Sequence, residues 1–491
     1  MTASAPTGIN VPSTAVETTD RPRRVDRLLL VNAMLGQFIT GFAARSFAVG
    51  LPTIATALQA DIFGVSWAII AYQLAGISLS IVFGRLGDIH GRHAIYGAGF
   101  AIMAASAVLC GLAPSVWWLV AFRLAEGIGA AMLASATRVL ALEAMPESSA
   151  GKAHGFMTMS FHGGVLLGPP IGGFVIDLVS WRWIFFLLVP IGVIGMALTA
   201  LSGKRRRTGS STRRPSIDYA GAGLLIVLTA ALTLLLDRRS ADLIGGGRTG
   251  MLGVIFGAGL VWFVVHERRT QNPVVNFALF RSRMFSFSVL SLLVVSTVTS
   301  VMTLLLPFYM QDVLHHSASF MGLVFLAAPV FTITLAPIVG QLTDRIGARI
   351  PASIGVLMMT GALLVGTRLG VDSHWALPTF LMALTGLGQG FFNTSNQTAL
   401  IGSVPREYRG FATGMVQMLF GLGSLFGTAL GTLLLTLMFR YATHMPNASP
   451  SVQQATPFVF AMNATFACCV ALTATAFVSS LLRGPAASGR T

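Results

Sequence analysis

The chain has 491 residues, of which 54% are hydrophobic and only 10% are charged. Soluble domains carry roughly a quarter charged residues, so this composition excludes an ordinary cytosolic enzyme and indicates a polytopic membrane protein. The net charge of +15 does not indicate a nucleic-acid partner, because the basic residues lie in short loops between apolar runs and form no basic face.

Apolar runs long enough to cross a bilayer, roughly 20 residues each, recur along the whole chain. The first run is too long to be part of a cleavable signal peptide and indicates a retained spanning helix. We therefore predict an all-α polytopic membrane protein with 14 transmembrane helices. The predicted spans begin near Leu28, Gly64, Ala94, Val116, Ala153, Trp183, Ile217, Gly250, Phe285, Ser319, Pro351, Ala376, Gly410 and Pro457.

The distribution of Lys and Arg predicts the orientation of these spans. If both termini are cytoplasmic, 23 of the 32 Lys and Arg residues fall in inner segments, 6 in outer loops and 3 within spans. Positive residues accumulate on the cytoplasmic side of membrane proteins. The sequence therefore predicts a multi-pass protein of the inner (plasma) membrane with both termini in the cytoplasm.

A glycine-rich turn motif occurs twice. Residues 84–92 read GRLGDIHGR, and residues 340–349 read GQLTDRIGAR. Glycines allow a tight turn between close-packed helices, and charged residues near helix ends can form latches with opposed charges and dipoles. The two aspartates, Asp88 and Asp344, are 256 residues apart. Both turns fall on the cytoplasmic side of the predicted topology, and the duplication indicates two similar halves.

The duplication predicts two six-helix bundles, at residues 28–202 and 285–482. Predicted spans 7 and 8 are inserted between them, within a linker at residues 203–284 that begins with a basic stretch. Cytoplasmic tails at residues 1–27 and 483–491 complete the predicted organisation. Two parallel repeats with a pathway between them are a common design of alternating-access transporters.

Predicted span 5 contains the sequence GGVLLGPPIGG at residues 163–173. Glycines in membrane helices permit close packing, and proline removes a backbone donor and bends a helix. We therefore expect a pliable and tightly packed segment. Its motif residues are Gly164, Gly168, Pro169, Pro170, Gly172 and Gly173.

Predicted span 4 contains the charged residues Arg123 and Glu126 close together. Their three-residue spacing places both side chains on one face of a helix, within reach of each other. At about 1.5 Å per residue, Glu126 lies roughly 15 Å into the span, and it is the only acidic residue deep inside a predicted helix. A charge at this depth indicates a functional site, although a permanent structural ion pair is an open alternative.

These motifs resemble those of the major facilitator superfamily and, within it, the fourteen-helix drug:proton antiporter family. The resemblance covers about residues 28–482. It includes the two turns, the antiporter motif of span 5, an aromatic boundary (WRWIF) at residues 181–185, and the sequence at 123–131, where Glu126 stands in place of a common glutamine.

The resemblance implies an exporter driven by the proton gradient, with no other cofactor. In the superfamily the turn motif steadies one access state. For this chain the resemblance implies the gating residues Gly84, Asp88, Gly91, Arg92, Gly340, Asp344, Arg345 and Arg349. If protons drive transport, Glu126 is the best proton carrier, with Arg123 as the partner whose separation would release or bind the proton.

The chain departs from the family pattern in predicted span 1. Ala43 takes the position of a membrane-embedded aspartate that relatives use for cation recognition or proton coupling, and Arg45 follows two residues later. This departure weakens the case for quaternary-ammonium substrates. Two interpretations of Arg45 stand: it favours anionic or zwitterionic substrates, or it extends to the outer membrane interface, only about five residues away.

Further polar and aromatic residues give a candidate lining of the substrate pathway. Each one alone is more often a helix-packing or lipid-facing residue, but the polar run at 393–397 is denser than packing usually requires. Together with Arg45, the candidate set is Phe38, Phe42, Tyr72, Gln73, His162, Gln389, Asn393, Asn396 and Gln397.

The predicted function is multidrug export by alternating access, coupled to inward proton movement, an activity typical of antibiotic-resistance proteins. No phosphate-binding G-x-x-x-x-G-K-[ST] loop and no catalytic or metal-ligand cluster is recognisable in the sequence, so we expect no enzymatic activity. The predicted partners are small molecules, protons and membrane lipid, and we expect a monomer. Two alternatives stand: a dedicated exporter of one endogenous or toxic metabolite, anionic in the case suggested by Arg45, and a non-transporting membrane sensor.

Overall fold

The computed structural model describes residues 25–146, 150–203, 246–269, 277–405, 409–445 and 448–483, with six further residues between 223 and 235. The described part of the chain is helical and contains no β-strand. The N-terminal tail up to residue 24, the basic start of the linker, most of predicted span 7 and residues 484–491 lie outside the described residues.

Fifteen α-helices occur in the described residues. Eight come before the linker: α1 (Arg27–Val49), α2 (Leu51–Ala57), α3 (Ile62–His90), α4 (Arg92–Gly111), α5 (Val116–Ala144), α6 (Ala150–Leu178), α7 (Trp183–Phe186) and α8 (Leu188–Gly203). One lies within the linker, α9 (Gly246–Arg269), and six follow it: α10 (Arg283–Phe308), α11 (Ala318–Ile346), α12 (Arg349–Gly366), α13 (Ala376–Gly402), α14 (Arg409–Thr443) and α15 (Ala455–Leu481). A short π-helix, Tyr309–Val313, continues α10.

Eleven helical segments of the described chain are long and apolar enough to cross a membrane. They coincide with predicted spans 1–6, 9–11, 13 and 14, so the all-α polytopic class is confirmed. At predicted span 12 the helix α13 is present with 27 residues, but its polar residues keep it less apolar than the others. The apolar part of α9, Gly250–His266, is shorter than the eleven segments. The total of fourteen stays a prediction.

The helices contact one another in two groups. Helices α1, α3, α4, α5, α6 and α8 form the N-terminal group, and α10 to α15 form the C-terminal group. The main contacts between the groups are made by α6 with α11 and by α3 with α14. The boundary between the groups therefore runs along four long helices.

The two glycine-rich turns lie at the same end of the helices, which we call the turn face; the other end is the opposite face. Gly91 has a φ of +94° and Gly347 a φ of +80°, a backbone conformation that residues with a Cβ rarely adopt. Each turn therefore depends on its glycine, as the sequence motif predicts.

Glycines also let helices α12 and α13 approach each other closely. A Cβ added at Gly355 would lie 2.6 Å from the carbonyl oxygen of Gly388, and one added at Gly388 would lie 2.7 Å from that of Gly355. Both distances are too short for a real Cβ contact, so the two backbones touch where side chains would otherwise stand. Helix pairs in membranes are commonly held by such small-residue contacts.

We expect Gly355→Val to destabilise the protein, because the added side chain must push α12 away from α13. Overpacking of this kind costs on the order of 1–3 kcal/mol. Gly414→Val is the matched control, since a Cβ at this glycine of α14 meets no atom within 4 Å. Thermal unfolding of the purified variants measures the effect; equal Tm values for the two variants would contradict the close contact.

Candidate functional site

Arg123 and Glu126 form an ion pair inside the N-terminal group. Nη1 of Arg123 lies 3.1 Å from Oε2 of Glu126, and the two side chains are only 2% and 0% exposed. The Arg123 guanidinium also lies 4.5 Å from the ring centroid of Phe47 in α1 and 4.3 Å from that of Tyr72 in α3. Cations are attracted to aromatic faces, so a carboxylate and two rings hold Arg123 in place.

Glu126 faces α4 rather than the boundary between the two groups. Its Oε2 accepts a hydrogen bond from Sγ of Cys110, at 3.7 Å. Its Oε1 is buried and has no hydrogen-bond partner among the described residues. A proton can therefore add to Oε1 without displacing another donor, but the carboxyl group has no contact with solvent in this conformation.

Arg45 lies at the boundary between the groups. From α1 its Nη1 donates a hydrogen bond to Oγ1 of Thr303 in α10, at 3.2 Å. His162 of α6 is an exposed residue and lies close enough to Arg45 to interact with its charge. The structure therefore brings together two of the predicted pathway residues and ties one of them to the C-terminal group.

Two further predicted pathway residues, Gln389 and Asn396, make hydrogen bonds within the C-terminal group. Gln389 of α13 donates to Oγ1 of Thr299 at 3.4 Å. Asn396 is fully buried and donates to the carbonyl oxygen of Ser288 at 3.2 Å, so in this conformation it joins two helices of one group.

The remaining members of the candidate set lie in separate surroundings in the described part of the chain. Phe38 and Phe42 stack on each other with ring centroids 6.0 Å apart. The side-chain oxygens of Gln73 and Asn393 are buried without a hydrogen-bond partner in the described residues. Gln397 is partly buried, and Tyr72 supports Arg123. The polar run at 393–397 thus does not act as one surface.

The glycines of the predicted antiporter motif place α6 directly against α1. A Cβ at Gly164 would lie 2.8 Å from the backbone nitrogen of Phe42. One at Gly168 would lie 3.0 Å from the nitrogen of Ser46, and one at Gly172 3.1 Å from the carbonyl oxygen of that serine. The four-residue spacing puts all three glycines on one side of α6, so the segment is tightly packed, as its composition indicates.

The same motif contacts α11 of the C-terminal group on another side. A Cβ at Gly322 of α11 would lie 2.9 Å from the carbonyl carbon of Pro169, and one at Gly173 would lie 2.8 Å from that of Ala318. Backbone therefore meets backbone across the boundary between the groups, on the opposite face.

Asp177 continues this contact as a helix cap across the boundary. From the end of α6 its carboxylate accepts hydrogen bonds from the backbone nitrogens of Ala318 at 3.2 Å and Ser319 at 2.7 Å, and also from the Ser319 hydroxyl. These nitrogens begin α11, where the helix dipole favours a negative charge. The sequence shows Asp177 only as an acidic residue at a helix end, because its partners lie more than 140 residues away.

Other hydrogen bonds join the groups on the opposite face. Gln311 donates to the carbonyl oxygen of Val49 at 2.7 Å and contacts Thr53 at 3.3 Å. Thr432 of α14 bonds to Ser66 of α3 at 3.3 Å. Together with the Asp177 cap, these bonds close the boundary on this face.

The turn face carries the predicted gating residues. Arg92 lies 3.6 Å from Glu143 at the end of α5, and both side chains are partly exposed. In the second turn Asp344, Arg345 and Arg349 are exposed, and the side chain of Asp88 lies outside the described residues. The two copies of the motif are therefore alike in their glycine turns. The contact of Arg92 with Glu143 was not predicted from the sequence.

Known proteins similar to this chain are membrane transporters. Multidrug resistance protein Stp of Mycobacterium tuberculosis is 30% identical over 438 residues, which cover 88% of this chain and 80% of that protein. Multidrug transporter protein MdtP of Bacillus subtilis is 28% identical over 415 residues, covering 83% of this chain and 75% of that protein. Riboflavin transporter RibZ of Clostridioides difficile is 25% identical over 402 residues, covering 82% of this chain and 86% of that protein.

The fold is also similar to solved transporter structures. A bacterial homologue of the human lysosomal transporter Spinster, in an inward-facing and unoccupied conformation, matches with a TM-score of 0.65 at 16% identity, over 94% of this chain and 98% of that chain. The Major Facilitator Superfamily family model matches residues 33–428 and 287–485. The chain is therefore a multi-pass membrane transporter that belongs to the Major Facilitator Superfamily.

Proposed function

We propose that the chain is a proton-coupled antiporter that exports drug-like small molecules by alternating access. The observation that carries the proposal is the contact of the glycine–proline segment of α6 with α11, extended by the Asp177 cap. These contacts join the two groups of helices on the opposite face, and they must break when a pathway opens there. Relatives described as multidrug transporters support the substrate class.

The finer architecture belongs to the same proposal. It comprises fourteen spans, two six-helix bundles with two inserted helices, and both termini on the cytoplasmic side of the inner (plasma) membrane, in a monomer driven by the proton gradient. With that orientation the opposite face is the outer face. The closed contacts then leave access from the cytoplasm, as an exporter needs when it takes up its substrate.

Purified protein in proteoliposomes tests the proposal directly. Addition of a transported dye should accelerate proton movement across the membrane, followed with a pH-sensitive fluorophore enclosed in the vesicles. A membrane sensor without transport would bind compounds without any proton flux. The absence of stimulated flux across a broad panel of drug-like dyes would reject the antiporter.

A dedicated exporter of an anionic metabolite is the second candidate, and Arg45 favours it. Its guanidinium lies at the boundary between the groups, contacts the hydroxyl of Thr303, and has no acidic partner among the described residues. Guanidinium groups bind carboxylates and phosphates through paired hydrogen bonds. An anionic substrate would supply the counter-charge that the protein lacks at this position.

We expect Arg45→Ala to reduce transport of anionic compounds at least tenfold and to leave neutral compounds unaffected, because loss of a charged hydrogen bond costs on the order of 1.5–3 kcal/mol. Arg45→Lys is the matched control, since it keeps the charge. Uptake into inverted vesicles measures both classes of compound. An equal loss for anionic and neutral compounds would show that Arg45 is structural.

We expect Glu126→Gln to abolish transport driven by a pH gradient while the protein stays folded and inserted, because glutamine cannot exchange a proton. Substrate exchange at equal pH on both sides requires no net proton movement and should persist. If the Arg123–Glu126 pair is structural instead, Tm and both transport modes should fall together. Full pH-dependent transport by the variant would exclude Glu126 as the proton carrier.

We expect Asp177→Ala to favour the state that is open on the opposite face. Loss of a side chain that accepts hydrogen bonds at a helix N-terminus costs on the order of 1 kcal/mol, about a fivefold change in the ratio of closed to open protein. Asp372→Ala is the control, because it removes an exposed carboxylate from the loop that precedes α13, which is also on the opposite face.

Spin labels at Val179 and His315, both exposed beside the cap, measure this change. The population at longer distance should increase in Asp177→Ala and not in Asp372→Ala. Identical distance distributions for the wild type and both variants would show that the cap does not hold the face closed.

A further inference from the structure

Arg483 is a buried cation with no hydrogen-bond partner among the residues that the structure describes. It follows the last residue of α15 and is only 1% exposed. Its three guanidinium nitrogens have no hydrogen-bond partner among the described residues, and the ring of Phe392 lies 5.8 Å from its Cζ. Burial lowers the pKa of Arg483 to about 10, so the group is still charged at neutral pH. A buried charge without a counter-charge is costly.

Two serine contacts show which residues lie at the level of Arg483. Ser479 and Ser480 of α15 bond to Ser291 of α10 at 2.7 Å and to Ser353 of α12 at 3.1 Å. Because α15 runs antiparallel to α10, the next turn of α15, with Arg483, lies beside the preceding turn of α10. That turn contains Ser288.

Unsatisfied polar atoms of two other helices lie at this level. The hydroxyl of Ser288 and Oδ1 of Asn396 are buried without hydrogen-bond partners in the described residues, and Asn396 donates to the Ser288 carbonyl oxygen. Asn396 is also one helical turn beyond Phe392. Buried polar atoms are usually satisfied, so unsatisfied atoms on three residues at one level, Ser288, Asn396 and Arg483, indicate a missing polar ligand.

An apolar groove lies beside Arg483, between α10 and α15. It has a volume of about 350 Å³ and is lined by Phe287, Leu290, Ala474, Thr475, Val478, Ser479 and Leu482. Ser479 is one turn from Arg483 on the same side of α15. The exposed residue Arg283 is likewise one turn from Phe287. Arg283 and Arg483 therefore lie one helical turn beyond lining residues of the groove, toward the turn face.

We propose that this groove binds one acyl chain of an anionic phospholipid, whose phosphate is held by Arg483. The predicted orientation makes this a lipid of the cytoplasmic leaflet. The site does not depend on the transported substrate, so it stands or fails independently of the proposed function.

The charge and position of the groove favour an anionic lipid. Arg483 and Arg283 stand where the helices leave the hydrocarbon core, at the depth of lipid headgroups. Basic pockets between helices on the cytoplasmic side bind anionic headgroups, and guanidinium pairs well with phosphate oxygens. A zwitterionic lipid would fill the groove as well but would leave the buried charge of Arg483 without net compensation.

Native mass spectrometry of the full-length protein, purified from an equal mixture of phosphatidylglycerol and phosphatidylcholine, tests the proposal. The wild type should retain one phosphatidylglycerol with about a fivefold preference. Ala474→Phe, which fills the groove, should lose this lipid. Ala471→Phe is the matched control, because this exposed residue lies one turn away on α15 and outside the groove.

Arg483→Gln separates charge from shape. This variant should retain both lipids equally. In the wild type, phosphatidylglycerol should raise the Tm more than phosphatidylcholine does, and in Arg483→Gln this difference should disappear. Equal retention of both lipids by the wild type, or unchanged retention by Ala474→Phe, would overturn the proposal. An equal increase in Tm with inorganic phosphate in lipid-free detergent would also overturn it and identify a free-anion site.

Discussion

Close backbone contact of α6 with α1 and α11 is the constraint on which the arrangement of the site depends. Lipid tails are as apolar as leucine, so membrane helices gain little by burying apolar side chains and associate through close packing instead. Gly164, Gly168 and Gly172 remove the side chains where α6 meets α1, and Gly322 does so where α11 meets α6. The position of α1, and with it that of Arg45, follows from this contact.

Three buried or partly buried arginines show three degrees of charge compensation. Arg123 is neutralised by Glu126 and held by two rings. Arg45 has a hydroxyl partner across the boundary between the groups, and Arg483 has none among the described residues. Because an uncompensated buried charge is unstable, an external anion gains most at the latter two. The charge of Arg123 is compensated within the protein, whereas Arg45 and Arg483 favour the binding of an external anion.

Local features were predictable from the sequence, and contacts between distant segments were not. The Arg123–Glu126 pair follows from a three-residue spacing within one helix, and the turns at Gly91 and Gly347 follow from a glycine at a tight bend. The Asp177 cap joins residues more than 140 positions apart, and no periodicity encodes it. Asn396 was predicted as a lining residue, but hydropathy alone does not reveal which neighbour a polar side chain faces.

The structure also suggests how the boundary between the groups is linked to Glu126. Helix α1 carries Arg45, which bonds to α10, and two residues later Phe47, whose ring lies against Arg123. Under the proposed alternating access, separation of α10 from α1 acts on the helix that supports Arg123. A shift of Phe47 would weaken one of the contacts that hold the guanidinium next to Glu126. Proton uptake by Glu126 would then depend on the state of a boundary that this carboxyl group does not touch.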